Sequence, residues 1–252
     1  MGYTNPFRRF IFRKDLYKRI KATLADYERR LRKNEVSDLA RLFQGEDPRT
    51  VFDVGANVGF LSWQFLKVFR NAAIYAFEPD PVPFGTLQAT HGANPRVRVF
   101  RIAAADKEGE VAFRQRGVSC NSSLCDMAGG SSKDGGQTIK VKATTLDRFC
   151  AEESITHIDL LKTDTEGADL LVLNGAKGIL GQGGIEVVMA EVLFVPIYKG
   201  QATFDEIARF LRAYDFRVFN VYIGGETPRG QARYGNAIFV GKRLQQKLEG
   251  CD

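Results

Sequence analysis

Two rhythms of apolar residues alternate along this chain. Short unbroken apolar runs give way to stretches in which apolar residues return every three or four positions. The runs read as strands buried on both faces, and the spaced stretches as helices laid against them. This pattern predicts strands over 50–54, 75–77, 97–104, 111–114, 138–143, 158–163, 185–193, 217–222 and 237–240. It predicts helices over 60–69, 83–91, 168–180 and 204–213. Repeated strand–helix units imply an α/β, Rossmann-like, doubly wound and mostly parallel sheet, with its last two strands antiparallel. Ahead of it, Leu16, Ile20, Leu24, Tyr27 and Leu31 recur at helical spacing after a Thr4-Asn5-Pro6 start. A long amphipathic helix is expected there, then a shorter one over 37–43. The glycine- and serine-rich stretch 127–136 reads as a mobile loop. These boundaries divide the chain into an arm over 1–47, a main domain over 48–244 and a tail over 245–252.

The most specific local signal is Val51-Phe52-Asp53-Val54-Gly55-Ala56-Asn57-Val58-Gly59-Phe60. A buried strand runs into a turn whose two glycines allow close backbone approach, and a helix then opens with its amides facing that turn. The next strand ends at Glu78, about 20 residues on, where such folds place an acid for ribose hydroxyls. A dinucleotide fingerprint would read G-x-G-x-x-G. Here the turn reads G-x-N-x-G, and Asp53 would repel a pyrophosphate while suiting a cationic ligand. These features favour S-adenosylmethionine over a dinucleotide. In open sheets of this kind ligands lie beyond the carboxyl ends of the strands, so the informative residues are Asp53, Glu78, Asp106, Asp164 and Glu191.

Composition changes the picture little, and charge changes it more. With 252 residues and 44% hydrophobic content, one large domain with an appended segment is expected. No apolar run reaches the length of a membrane span, and no leader pattern opens the chain, so a cytoplasmic location is expected. Cys120, Cys125, Cys150 and Cys251 match no zinc or redox spacing. Twelve of the 36 Lys/Arg but only five of the 30 Asp/Glu fall in residues 1–44, a net of +7 against +6 for the whole chain. A basic arm without a basic cleft argues against nucleic acid as substrate. It fits peripheral contact with the inner face of a membrane, an oligomer contact, or a solvated helix face.

Several ordered strings resemble the FkbM-type methyltransferases of the class I S-adenosylmethionine-dependent fold. They are Asp53-Val-Gly-Ala-Asn-Val-Gly, Phe77-Glu-Pro, Ala103-Ala-Ala-Asp106, Ser122-Ser-Leu, Thr145-Leu-Asp147, Ile158-Asp-Leu-Leu-Lys162-Thr-Asp164-Thr-Glu166-Gly167, Glu191, Tyr198-Lys199-Gly200 and Asn236-Ala-Ile-Phe239. The resemblance spans about residues 50–241. It departs at Asn236, where the family usually has Asp, and before Asp106, where an Asn is usual. It implies that Asp53, Gly55, Asn57 and Gly59 contact the methionine part of the cofactor, Glu78 the ribose, and Asp106, or the backbone before it, the adenine; Asp106 reads equally as a turn residue in Asp106-Lys107-Glu108-Gly109. It also implies O-methylation of a hydroxyl on a sugar, a polysaccharide precursor or a glycosylated natural product.

For that chemistry an acceptor hydroxyl must be aligned behind the methyl carbon and give up its proton. Asp164 and Glu191, ending adjacent strands, are the expected base and orienting acid. Alternatively they hold Mg²⁺, with Glu166 as a third candidate. Lys162 is expected under the sheet, paired to an acid. His91 is a candidate base but reads rather as a helix-end residue, and His157 as surface; Tyr198, Phe194 and Trp63 are candidates for an aromatic substrate wall, with Trp63 reading rather as core with Phe60. The rival to an enzyme is a non-catalytic S-adenosylmethionine-binding or assembly module that works through its basic arm.

Overall fold

A computed structural model describes residues 34–115, 123–125 and 136–250. The long helix expected in the N-terminal arm, and nearly all of the loop over 127–136, lie outside the described residues.

The main sheet contains β1 (Thr50–Val54), β2 (Ala73–Phe77), β3 (Val97–Phe100), β7 (Ile158–Thr163), β8 (Ile185–Leu193), β9 (Arg217–Glu226) and β10 (Ala232–Val240). Its spatial order is β3-β2-β1-β7-β8-β10-β9, with the first five strands parallel and β10 antiparallel to both neighbours. A smaller sheet pairs β4 (Ala103–Ala104), β6 (Gln137–Thr144) and β5 (Gly109–Gln115), in that order. The helices are α1 (Glu35–Leu42), α2 (Phe60–Val68), α3 (Pro81–His91), α4 (Leu146–Glu152), α5 (Asp169–Asn174), α6 (Lys177–Gly181), α7 (Phe204–Arg212) and α8 (Lys242–Glu249). No helix among the described residues is long and apolar enough to cross a membrane.

Period-two alternation sorts the apolar runs onto two faces. Phe52, Val54, Leu161, Val188, Ala190 and Phe239 pack with residues of α4 to α7. Val51, Ile74, Leu160, Val187, Met189 and Ile238 pack with residues of α1, α2, α3 and α8. Both faces are covered, so the strands are continuously apolar. Each fully buried Phe or Leu contributes roughly 1.5–3 kcal/mol. On the first face Phe77, Phe100 and Phe149 meet at ring-centroid separations of 4.8 to 5.3 Å, joined by Phe52.

Two expected elements divide. The run over 97–104 is two strands, because Arg101 and Ile102 carry the chain out of the main sheet and Ala103–Ala104 pairs with β6. The run over 168–180 is two helices. Gly175 lies so close to the carbonyl oxygen of Ala105 that a Cβ would stand 2.0 Å from it. Its carbonyl accepts from Asp147 N at 2.9 Å, and the Asp147 carboxylate accepts from Gly178 N and Ile179 N at 2.7 and 2.8 Å. Asp147 thus starts α6 as a cap supplied from elsewhere in the chain. The expectation for Trp63 also fails. Phe60 and Trp63 are 66% and 46% exposed and stack on each other at 6.1 Å. Their side of α2 faces outward, and Ser62 and Phe65 take the buried side.

The ends of the domain are tied in. Asp38 of α1 is buried and accepts from Tyr222 Oη at 2.5 Å and Asn220 Nδ2 at 3.0 Å, while Val36 and Leu39 join the second core face. Helix α8 runs through residue 245 and buries Leu244 and Gln245.

The contact at Gly175 is testable away from any ligand. Gly175→Ala is expected to lower the unfolding free energy by about 1–3 kcal/mol through overpacking. Gly181→Ala, where a Cβ meets open space, is expected to be neutral or to gain a few tenths of a kcal/mol, up to about 1. Urea denaturation of both variants checks the pair, and equal effects would remove the steric explanation.

Candidate active site

The turn after β1 is built by three left-handed residues, Gly55, Asn57 and Gly59, at φ of 77°, 51° and 87°. Gly55 N and Ala56 N donate to Phe77 O at 3.0 and 2.9 Å, which fastens the turn to the end of β2. A Cβ on Gly55 would stand 1.9 Å from the carbonyl oxygen of Asp164, so only glycine fits there. Gly59 is also confined, because a Cβ there would stand 2.5 Å from the ring of His91, whose Nε2 lies 3.0 Å from Gly59 O. His91 is thus buried against the turn, with one ring nitrogen at the Gly59 carbonyl.

Glu78 closes the turn from the neighbouring strand. Its Oε2 accepts from Asn57 N and its Oε1 from Asp80 N, both at 2.8 Å. Burial pushes its carboxyl up to about 7 despite these two donors. Each oxygen keeps a lone pair for a further donor, as a vicinal diol would require.

Asp53 and Lys162 are cross-strand partners on the face that packs against α2. Asp53 is fully buried. Its Oδ2 accepts from Ser62 Oγ at 2.5 Å, and its Oδ1 lies 3.1 Å from Lys162 Nζ. Lys162 also donates to Gly55 O at 3.1 Å and lies 3.7 Å from Asp164 Oδ2. Burial alone would push this ammonium down, but the charges of Asp53 and Asp164 outweigh it and hold it above its ordinary value. The Asp53 side chain thus has no surface to offer a ligand. It holds the lysine that in turn holds the turn.

One step further toward the carboxyl edge, on the same face, stand Asp164 and Glu191. Asp164 N donates to Val54 O at 3.0 Å, and its side chain is 41% exposed. Glu191 pairs in register with Asn236 across β8 and β10. With Glu166 they form a group in which one carboxylate oxygen from each residue lies within 4.8 Å of the other two. Glu166 is itself left-handed, at φ 55°, ahead of Gly167 at 93°. Tyr198 Oη donates to its carboxylate, and Ser123 Oγ donates to its carbonyl at 2.6 Å. The three acids border a cavity of about 440 Å³ that Leu193, Tyr198 and Arg233 also line. Burial and then the charges of Asp164, Asp169 and Glu166 push the Glu191 carboxyl well above its ordinary range. Asp169, also buried, is pushed up to about 6 by burial and by Asp164.

Of the other expected site residues, Asp106 stands on an exposed bend after β4. It makes no hydrogen bond or ion pair among the described residues. Asn236 donates to Glu35 Oε1 at 3.1 Å. Asp80 and Asp169 were missed from the sequence. A signal existed for each, since Asp80 precedes Pro81 as a helix cap and Asp169 opens a helix behind a glycine. A larger cavity of about 640 Å³ lies at the opposite edge of the sheet, near half-exposed His157. Its acid Glu186 is already paired with Arg243, and neighbouring Asp159 accepts from Arg49 N and Thr50 N. Those charges are used in holding the structure.

Residues 53–218 match the family described as the methyltransferase FkbM domain. The chain is 26% identical over 190 residues to the 2-O-methyltransferase NoeI of Sinorhizobium fredii (strain NBRC 101917 / NGR234), covering 70% of this chain and 76% of that protein. It is 31% identical over 196 residues to the 31-O-demethyl-FK506 methyltransferase FkbM of Streptomyces tacrolimicus, covering 67% and 72%. Among solved structures, magnesium protoporphyrin IX methyltransferase (ChlM) of Synechocystis PCC 6803, with bound SAM, superimposes with a TM-score of 0.45 at 12% identity, covering 96% of this chain and 86% of that one. The matched segment carries the glycine turn, Glu78 and both strand-end carboxylates, and the chain belongs to the FkbM methyltransferase family of S-adenosylmethionine-dependent enzymes.

Proposed function

We propose that this enzyme methylates a hydroxyl of a sugar, a polysaccharide precursor or a glycosylated natural product, with Asp164 and Glu191 as the residues at the reacting oxygen. The observation that carries the reading is the contact between the turn and Asp164. The Asp164 peptide lies against Gly55, while its carboxylate borders the cavity that Glu191 also lines. A donor seated on the turn and an acceptor seated in the cavity would therefore meet beside one carboxylate. The two curated relatives are both named for O-methyl transfer, and one of them for a 2-O position.

The residues present suit the donor. S-adenosylmethionine, when bound, supplies an electrophilic methyl on a sulfonium. The carboxyl edge beside the turn holds Asp164, Glu166, Asp169 and Glu191, against Arg233 on the cavity wall and a Lys162 already committed to Asp53, so acids outnumber free cations and this end of the sheet favours positive charge. In the proposal, the backbone of Gly55, Asn57 and Gly59 receives the methionine end, Glu78 the ribose diol and the Asp106 bend the adenine. Asp53 acts on the donor only through Lys162 and the shape of the turn. Asp164 or Glu191 accepts the proton of the acceptor hydroxyl as the new O–CH₃ bond forms. The pocket's aromatic wall, Tyr198, is fixed by Glu166 and by Gly167, where a Cβ would meet its ring at 2.8 Å.

Asp164→Asn is expected to lower kcat by about 10²-fold or more while changing S-adenosylmethionine affinity only a few-fold. Calorimetry alongside turnover separates the two, and equal losses would refute the role given to Asp164. Glu78 generates a pH signature. Its carboxylate is needed as an acceptor, and the carboxyl titrates near 7. Affinity is therefore expected to be flat above pH 8 and to weaken about tenfold between pH 8 and pH 6 as the group gains a proton. Glu78→Gln should bind weakly at every pH with that slope removed. A slope unchanged in this variant would reassign the ribose contact.

A further inference from the structure

We propose that Asp164, Glu166 and Glu191 form a binding site for one hard divalent cation. The purpose given to the ion rests on the transfer reading above, whereas the geometry of the site does not. Each residue offers one carboxylate oxygen, and the three oxygens lie within 4.8 Å of one another. They arrive from separate places: the end of β7, the left-handed turn after it, and β8. Oxygen-only donors suit Mg²⁺, Mn²⁺ or Ca²⁺, and no thiolate or imidazole belongs to the group. Opposite oxygens around Mg²⁺ are about 4.2 Å apart, so a small rotation of the partly exposed Asp164 side chain would close the set.

Glu191 separates this group from a solvated acidic patch. Its Oε2 is sealed from water, and no hydrogen-bond donor among the described residues reaches it. A buried carboxylate oxygen without a donor is costly, and a fixed cation removes that cost. Lys162, close by at 3.7 Å from Asp164, is already engaged by Asp53 and the Gly55 carbonyl at 3.1 Å each. Glu166 is held in one place beside Glu191. Its backbone holds a left-handed conformation that non-glycine residues rarely adopt, locked by Ser123 on its carbonyl and Tyr198 on its carboxylate. At the opposite edge, His157, Asp159 and Glu186 also gather. There the acids are satisfied by Arg243 and two backbone amides, and nothing calls for an ion. At the first site a bound ion would take the acceptor hydroxyl as a ligand, orient it and lower its proton affinity.

The test uses the full-length protein, stripped by chelation and titrated with Mn²⁺ while electron paramagnetic resonance follows the free ion. One Mn²⁺ per chain is expected. Glu191→Gln and Glu166→Gln should each weaken it by about tenfold or more, and exposed Glu110→Gln should leave it unchanged. Should Glu191→Gln fail to fold, as judged by circular dichroism, Glu166→Gln carries the test alone. No saturable Mn²⁺ binding, or binding that survives both variants, would overturn the proposal. So would release of Mn²⁺ by S-adenosylmethionine but not by S-adenosylhomocysteine, because the carboxylates would then serve the sulfonium. Calorimetry with S-adenosylmethionine on the same samples keeps the two readings apart. Donor binding without Mn²⁺ binding removes the ion and leaves methyl transfer standing, and Mn²⁺ binding without donor binding does the reverse.

Discussion

The buried pair of Asp53 and Lys162 is the interaction on which the site depends. Two charges side by side on adjacent strands, buried away from the surface, are tolerated because each is further satisfied: Asp53 by Ser62, and Lys162 by the carbonyl of Gly55. Removing either partner would leave a bare charge in the interior, at a cost of about 3–5 kcal/mol. The lysine thereby sets the position of the glycine turn, and through Asp164 it sets the first acid of the cleft. The turn and the cleft are held from one point.

Around that point the charge is lopsided. Asp164, Glu166, Asp169 and Glu191 gather at the carboxyl edge of β7 and β8, and Lys162 is spent on the pair below. Glu78, just past the end of β2, is also pushed up by burial. Protonation is thus favoured at several carboxyls wherever no cation is near. A domain accepts such an arrangement where it binds positive charge, and the strained backbone at Asn57 and Glu166 lies in the same place. The rest of the fold bears the cost through two well-filled core faces and a cluster of aromatic rings.

The opposite edge of the sheet makes an instructive contrast. It has the larger cavity and also a gathering of His, Asp and Glu, yet Arg243 and backbone amides use up its acids. Size of cavity and count of ionisable residues do not distinguish the two ends. What distinguishes them is Glu191, whose buried Oε2 meets no donor among the described residues, whereas Glu186 and Asp159 at the opposite edge are both satisfied.

By itself the sequence determined the alternation of strands and helices, the family strings and the spacing of the glycine turn to Glu78. These depend on near neighbours, on period-two and helical patterns, and on residues such as glycine whose backbone freedom is intrinsic. Tertiary structure decided what those patterns cannot encode. Val97–Phe100 and Ala103–Ala104 look like one run, but they separate because their hydrogen-bond partners, β2 and β6, lie in different sheets. The run after Gly167 breaks where Gly175 meets Ala105, which follows β4, and Asp147 caps the new helix. Trp63 has core-like spacing, yet α2 turns that side outward. Asp53 reads as an acid aimed at a ligand, and only its neighbour across the sheet shows it enclosed by Lys162 and Ser62. Burial and pairing are relations between residues far apart in the chain, so they exist only once the strands are side by side.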